Sequence, residues 1–127
     1  MTFYGFVAVG LGAALGAWLR WGFGIVLNPL FSSILLGTLA ANLVGGYLIG
    51  IAVEYFVHHD SVPPEFRLFV IVGFLGGLTT FSSFSSEAVG LLADRQLGWT
   101  MVLTAAHVLG SLAMTWLGIL TVKAIDV

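Results

Sequence analysis

Apolar residues in this chain fall into four long runs separated by short polar punctuation. The first extends from about Thr2 to Leu27 and meets its first charge at Arg20. Asn28-Pro29 closes it, because proline cannot continue a helix and biases the residue before it away from helix. A second run covers roughly Ser33 to Val57, followed by the polar loop His58-His59-Asp60-Ser61-Val62-Pro63-Pro64-Glu65. The third begins near Phe66 and ends near Leu92, Asp94-Arg95-Gln96 makes a short turn, and the fourth spans about Trp99 to Val122. Each run reaches the roughly 20 residues that a helix needs to cross hydrocarbon. The pattern predicts an all-α membrane protein with four transmembrane helices at residues 2–27, 33–57, 66–92 and 99–122, in a single domain over residues 1–127.

Composition strengthens that reading. The 127 residues are 59% hydrophobic and 8% charged, too few charges to cover the surface of a soluble domain of this size. A net charge of −2 gives no basis for nucleic-acid binding. With no cysteine, a disulfide framework and a thiolate metal site are both excluded. No basic segment precedes an apolar core and cleavage site, so the chain is expected to be mature from Met1 rather than led by a signal peptide.

The third run is irregular. From Gly73 to Glu87 it reads Gly-Phe-Leu-Gly-Gly-Leu-Thr-Thr-Phe-Ser-Ser-Phe-Ser-Ser-Glu. The adjacent Gly76 and Gly77 weaken the helix, and a break in the third helix is expected there. In hydrocarbon an unpaired backbone group costs several kcal/mol, so a break survives only where protein or water covers it. Such a place is a candidate functional site.

Gly12 and Gly16, Gly46 and Gly50, and Gly73 and Gly77 form three G-x-x-x-G pairs, which let helix backbones approach closely in lipid. They serve packing within one chain or between chains, and three of them favour a tight, oligomeric bundle. With four spans, Arg67 and Lys123 fall on one side of the membrane and Arg20 and Arg95 on the other. Two positive charges face two, so the positive-inside rule selects no orientation, and the expectation is insertion both ways with antiparallel pairing, the alternative being that one charge, such as a buried Arg20, does not count.

Few strongly polar groups lie inside the spans. Asn42 stands in the middle of the second and serves either as a helix–helix bond or as a ligand donor. Phe81, Phe84 and Glu87 recur at i, i+3 and i+6 on one helix face. Ser82 and Ser85, with Ser83 and Ser86 beside them, make that helix unusually wet. Aromatic rings carry a positive edge, so ring edges beside hydroxyl and amide donors suit a small anion without fixed positive charge. In the fourth span His107, Ser111 and Thr115 recur at i, i+4 and i+8 as one polar stripe, which serves helix packing or, facing the serines, completes a polar track.

Catalysis finds little support. His107 has no acidic residue near it in the fourth span to orient it. His58, His59 and Asp60 are adjacent rather than at metal-ligand spacing. Gly76-Gly77 lacks the lysine and strand context of a phosphate loop. Arg20 serves either headgroups or a pore entrance.

Three segments then resemble the Fluc/CrcB fluoride channels: Gly12-Ala13-Ala14-Leu15-Gly16-Ala17-Trp18-Leu19-Arg20-Trp21, Gly37-Thr38-Leu39-Ala40-Ala41-Asn42-Leu43-Val44-Gly45, and Gly73 through Phe84. They occur in the family's order across essentially the whole chain; one departure is Ser83, where many relatives have threonine. The resemblance implies a non-enzymatic channel in the cytoplasmic (inner) membrane, an antiparallel dual-topology homodimer with two pores that export fluoride passively. It implies Phe81 and Phe84 as ring-edge ligands, Asn42 as an amide donor, and a donor track of Ser82, Ser83, Ser85, His107, Ser111 and Thr115. Glu87 would lie near a pore mouth and Arg20 at an aqueous vestibule. It further implies a structural sodium ion at the dimer centre, held by the backbone carbonyls of Gly76 and Thr79. The partners expected are fluoride, the lipid bilayer and a second copy of the chain, with no nucleic acid. Two competing classes are a four-helix multidrug exporter, which needs an embedded carboxylate where the first two spans offer only Glu54 near a helix end, and a non-transporting structural subunit, which leaves the Phe/Ser face unexplained.

Overall fold

The computed structural model describes residues 1–125. Its elements are helices: α1 (Phe3–Leu27), α2 (Leu36–Val57), α3 (residues 64–78), α4 (Phe81–Ala93) and α5 (Leu97–Ile125), with a 3₁₀ turn at Asn28–Leu30. Four helical spans are long and apolar enough to cross a membrane: Phe3–Leu30, Leu36–Val57, Pro64–Ala93 and Leu97–Ile125. Their ends all agree with the apolar runs to within three residues, the turn at Asn28–Leu30 extending the first span. This is a multi-pass helical membrane protein. Exposed apolar side chains such as Phe6, Leu11 and Trp18 on α1 and Leu109, Leu112 and Trp116 on α5 suit a chain whose solvent is hydrocarbon.

The glycines decide how the helices meet. A Cβ on Gly73 would lie 3.0 Å from Gly12 Cα, and one on Gly77 3.0 Å from Ala13 Cα, so α1 and α3 touch backbone to backbone. On the other side, a Cβ on Gly118 would lie 3.1 Å from Gly50 Cα, which brings α5 equally close to α2. All three G-x-x-x-G pairs are thus used inside one chain, and they no longer argue for an oligomer.

Within α3, Leu68–Leu75 is π-helical, between α-helical turns at Pro64–Arg67 and Gly76–Leu78. Gly76 and Gly77, where the sequence places the weak point, stay helical. The two extended residues come just after, at Thr79 (φ −89°, ψ 155°) and Thr80 (φ −152°, ψ 121°).

Helix ends are tied by side chains from elsewhere. Leu35, which begins α2, has no capping side chain of its own. The Leu35 amide donates instead to Glu87 Oε2 at 2.7 Å, and the Gly37 amide to Asn28 Oδ1 at 2.8 Å. Arg67 closes the α2–α3 loop by donating to the carbonyls of Phe56, His59 and Val62, its guanidinium 5.2 Å from the Phe56 ring centre. The α4–α5 turn is a Schellman cap: Gln96 N–H bonds Leu91 C=O, Arg95 N–H bonds Leu92 C=O, and Arg95 takes φ 57°.

Candidate functional site

Thr80 begins α4, and its hydroxyl accepts from the Ser83 amide as an ordinary helix cap. Its two backbone groups turn the other way. The Thr80 N–H donates to Asn42 Oδ1 at 2.8 Å, and Asn42 Nδ2 donates back to the Thr80 carbonyl at 3.0 Å. One side-chain amide on α2 thus pairs with the extended residue as a neighbouring strand would. Asn42 Nδ2 also lies 3.0 Å from His107 Nδ1 on α5. Three helices therefore converge on Asn42, in the interior of the helical bundle.

Beside this junction lies a cavity of about 460 Å³, lined by α2, the end of α3, the start of α4 and α5. Asn42, Gly76, Thr79, Phe81, Phe84, His107, Ser111 and Thr115 are among its walls, together with Thr80. None of the described lining residues is Lys, Arg, Asp or Glu. The cavity is open on one side, and Phe81 stands at that side 76% exposed, whereas Phe84 is buried. Their rings make an edge-on pair with centroids 5.5 Å apart, and Phe84 in turn lies 4.7 Å from the His107 ring.

The remaining candidates are placed differently. Ser82, Ser83 and Ser85 do not line this cavity; Ser82 and Ser85 are exposed on α4, and Ser83 bonds the Thr80 hydroxyl. Within one chain the α4 serines therefore do not join the α5 stripe. Thr115 lines the cavity, but its hydroxyl donates to the Gly46 carbonyl at 2.9 Å, so its proton is committed. Arg20 is partly buried, and its Nε donates to the Gly77 carbonyl at 3.0 Å, a cation seated at the C-terminal end of α3. Glu87 ties α4 to the start of α2, as described above.

The Gly76 carbonyl is also distinctive. The Thr80 amide that would bond it in a continuing helix goes to Asn42. Gly76 is exposed, and a Cβ there would meet only the Ile71 carbonyl, 3.9 Å away.

The model of the family described as CrcB-like protein, Camphor Resistance (CrcB), matches residues 7–119. The chain belongs to the CrcB family. A protein of Nitrosospira multiformis named fluoride-specific ion channel FluC is 64% identical over 123 residues, 97% of this chain and 96% of its own. Proteins of the same name in Ralstonia nicotianae and Pseudomonas aeruginosa are 56% and 57% identical, over 98% and 92% of this chain and 99% and 92% of their own. In this CrcB chain, two residues that matter locally escape a reading of the sequence. Thr80 lies inside the hydroxyl run with nothing to single it out, and Asn28 looks only like helix punctuation. The asparagine before a proline is a cap signal in retrospect, although its target lies nine residues on.

Proposed function

We propose that this chain is a fluoride-selective channel that lets fluoride leave the cell passively across the cytoplasmic membrane. The observation that carries the reading is the half-open cavity at the Thr79–Thr80 step, walled by amide, imidazole, hydroxyl and phenyl groups and by no formal charge. The relatives' printed name, fluoride-specific ion channel, supplies the ion.

Fluoride is small and strongly hydrated, so several close donors must replace its water while each stays weak enough to release it. Phe81 and Phe84 present ring edges, and Ser111 has a hydroxyl with no bond to the rest of the described residues. The exposed Ser82 and Ser85 extend the donor track only if a second surface faces them. That requirement, together with the exposed Phe81 at the open side of the cavity, supports an antiparallel homodimer in which each copy completes the other's pore. The even charge split between the two membrane faces supports insertion in both orientations. Arg20 and Glu87, both engaged with backbone groups, shape the ends of the pore rather than bind within it.

The Gly76 and Thr79 carbonyls fit the structural sodium ion that the family implies. The Gly76 oxygen has lost its helical partner in a residue that is itself exposed, and hard cations take oxygen ligands. One chain offers too few such oxygens, so the ion would join two copies at their centre. Fluoride-electrode efflux from liposomes holding the purified protein tests the reading; release no faster than from protein-free liposomes removes it.

A further inference from the structure

Leu68–Leu75 is π-helical although it reads Leu-Phe-Val-Ile-Val-Gly-Phe-Leu, with no proline and no polar side chain to disturb a helix. Both ends of the stretch are held by tertiary bonds. Before it, Arg67 donates to the carbonyls of Phe56, His59 and Val62. After it, Arg20 Nε donates to the Gly77 carbonyl at 3.0 Å, and Asn42 holds both backbone groups of Thr80.

Between these anchors α3 takes up one residue more than an α-helix needs. A π bond joins residues five apart, an α bond residues four apart. The change from one to the other is visible on the α1 side. A Cβ on Gly12 would meet the Phe69 carbonyl oxygen and lie 2.8 Å from the Phe74 nitrogen, a pair five apart. One turn on, a Cβ on Gly16 would meet the Phe74 carbonyl oxygen and lie 2.7 Å from the Leu78 nitrogen, a pair four apart. The other sides of the stretch are loosely held. Val70 and Phe74, with Phe66 and Leu75, line an apolar cavity of about 310 Å³ against α2. Ile71 and Leu75 line the cavity at the Thr79–Thr80 step. Open space there lets the wide turns narrow without a clash.

We propose that Leu68–Leu75 is a conformational device that closes the cavity at the Thr79–Thr80 step when it relaxes from π to α. With all eight residues kept, the surplus residue leaves as rotation. The step turns by about 100°, one residue's share of an α-helical turn, and Thr80 is carried away from Asn42. The Arg20 and Asn42 bonds hold the π form, and with it the open cavity. The effect on conduction rests on the fluoride-channel reading; the π-to-α change does not.

The test uses full-length protein in lipid bilayers: wild type, Arg20→Met, a deletion of Val70, and the two changes combined. Solid-state NMR measures which amide nitrogen lies in hydrogen-bond contact with the Phe69 carbonyl. In wild type it should be that of Phe74. Without Val70 the same two residues stand four apart, so an α-helix joins them and every residue beyond keeps its place. The deletion should therefore unfold no lower than wild type and release fluoride at a similar rate. Arg20→Met should hand the Phe69 carbonyl to the Gly73 amide. It should also lower release about 10- to 100-fold, the population shift set by one hydrogen bond from a charged group. In the combined variant no surplus residue remains to turn the step, so release should return to that of the deletion alone. A wild-type Phe69 carbonyl paired with Gly73, an Arg20→Met protein still paired to Phe74, a Val70 deletion that does not fold, or a combined variant as impaired as Arg20→Met overturns the inference, while wild-type release leaves the channel reading standing. Wild-type liposomes that release no fluoride overturn the channel reading, and the Phe69 pairing in Arg20→Met still decides the π-to-α change.

Discussion

Asn42 satisfies both backbone groups of Thr80, accepting from its N–H at 2.8 Å and donating to its C=O at 3.0 Å. A residue extended inside a membrane would otherwise expose two unpaired polar groups, each costing several kcal/mol in hydrocarbon. The pairing stabilises the step from α3 to α4 and leaves the Gly76 carbonyl free.

Asn42→Ala should therefore damage structure and conduction together. Leaving the Thr80 groups unpaired costs roughly 1–3 kcal/mol, and the His107 ring loses the contact that orients it. Thermal unfolding in detergent should shift down, and fluoride release should fall more than tenfold, about 1.4 kcal/mol or more of barrier at the usual conversion. Wild-type unfolding and release would return Asn42 to ordinary helix packing.

The two phenylalanines should separate. Phe81 is 76% exposed in the single chain, so Phe81→Ile should leave the fold intact and cut fluoride release severely. Phe84 is 8% exposed and packed among Ile34, Leu91 and Leu103, so Phe84→Ala should also destabilise, by about 3–5 kcal/mol. Unfolding curves and efflux recorded on the same samples check both halves.

Much of this arrangement was legible in the sequence. The four spans were, because hydropathy over some 20 residues is a local signal. Close approach at Gly12, Gly16, Gly73 and Gly77 was legible too, but not the partner, since glycine spacing does not say which helix faces it. The non-helical step lies beyond Gly76-Gly77, which remain helical, with Gly77 in contact with α1. What sets the step is Asn42, 38 residues away, and no local pattern carries that. The π-helical stretch at Leu68–Leu75 likewise has no signature among its apolar residues. Stripes were visible on α4 and α5, but whether hydroxyls are free depends on tertiary bonds such as that from Thr115 to Gly46.

Glu87 acts here as the cap of another helix. Glu87→Gln keeps an acceptor for the Leu35 amide and should unfold close to wild type, whereas Glu87→Ala should lose about 0.5–2 kcal/mol, the range for a deleted N-cap. Equal unfolding temperatures for all three proteins would contradict the capping role.

Arg95 combines strain with topology. It holds φ 57°, a left-handed conformation that costs a non-glycine residue about 1–2 kcal/mol, so Arg95→Gly should stabilise the α4–α5 turn. The same change leaves Arg20 facing Arg67 and Lys123, and the charge balance becomes unequal. Accessibility labelling of tagged termini should then show one orientation in excess, where the parent chain should show both; an unchanged distribution would contradict the charge-balance reading.

Gly77→Ala tests the α1–α3 contact. Its Cβ would lie 3.0 Å from Ala13 Cα, and the same residue's carbonyl holds Arg20. Overpacking of this kind costs about 1–3 kcal/mol, so thermal unfolding should shift down and fluoride release should fall with it. A neutral result would mean that the helices part there without consequence.

The central claim is that an uncharged site at the Thr79–Thr80 step conducts fluoride. Fluoride and chloride electrodes reading the same proteoliposomes, wild type beside Phe81→Ile, test it most directly. The account predicts rapid fluoride release by the wild type, chloride release at the rate of empty liposomes, and little of either from the variant. Equal release of both anions, or unaltered fluoride release by the variant, would contradict it.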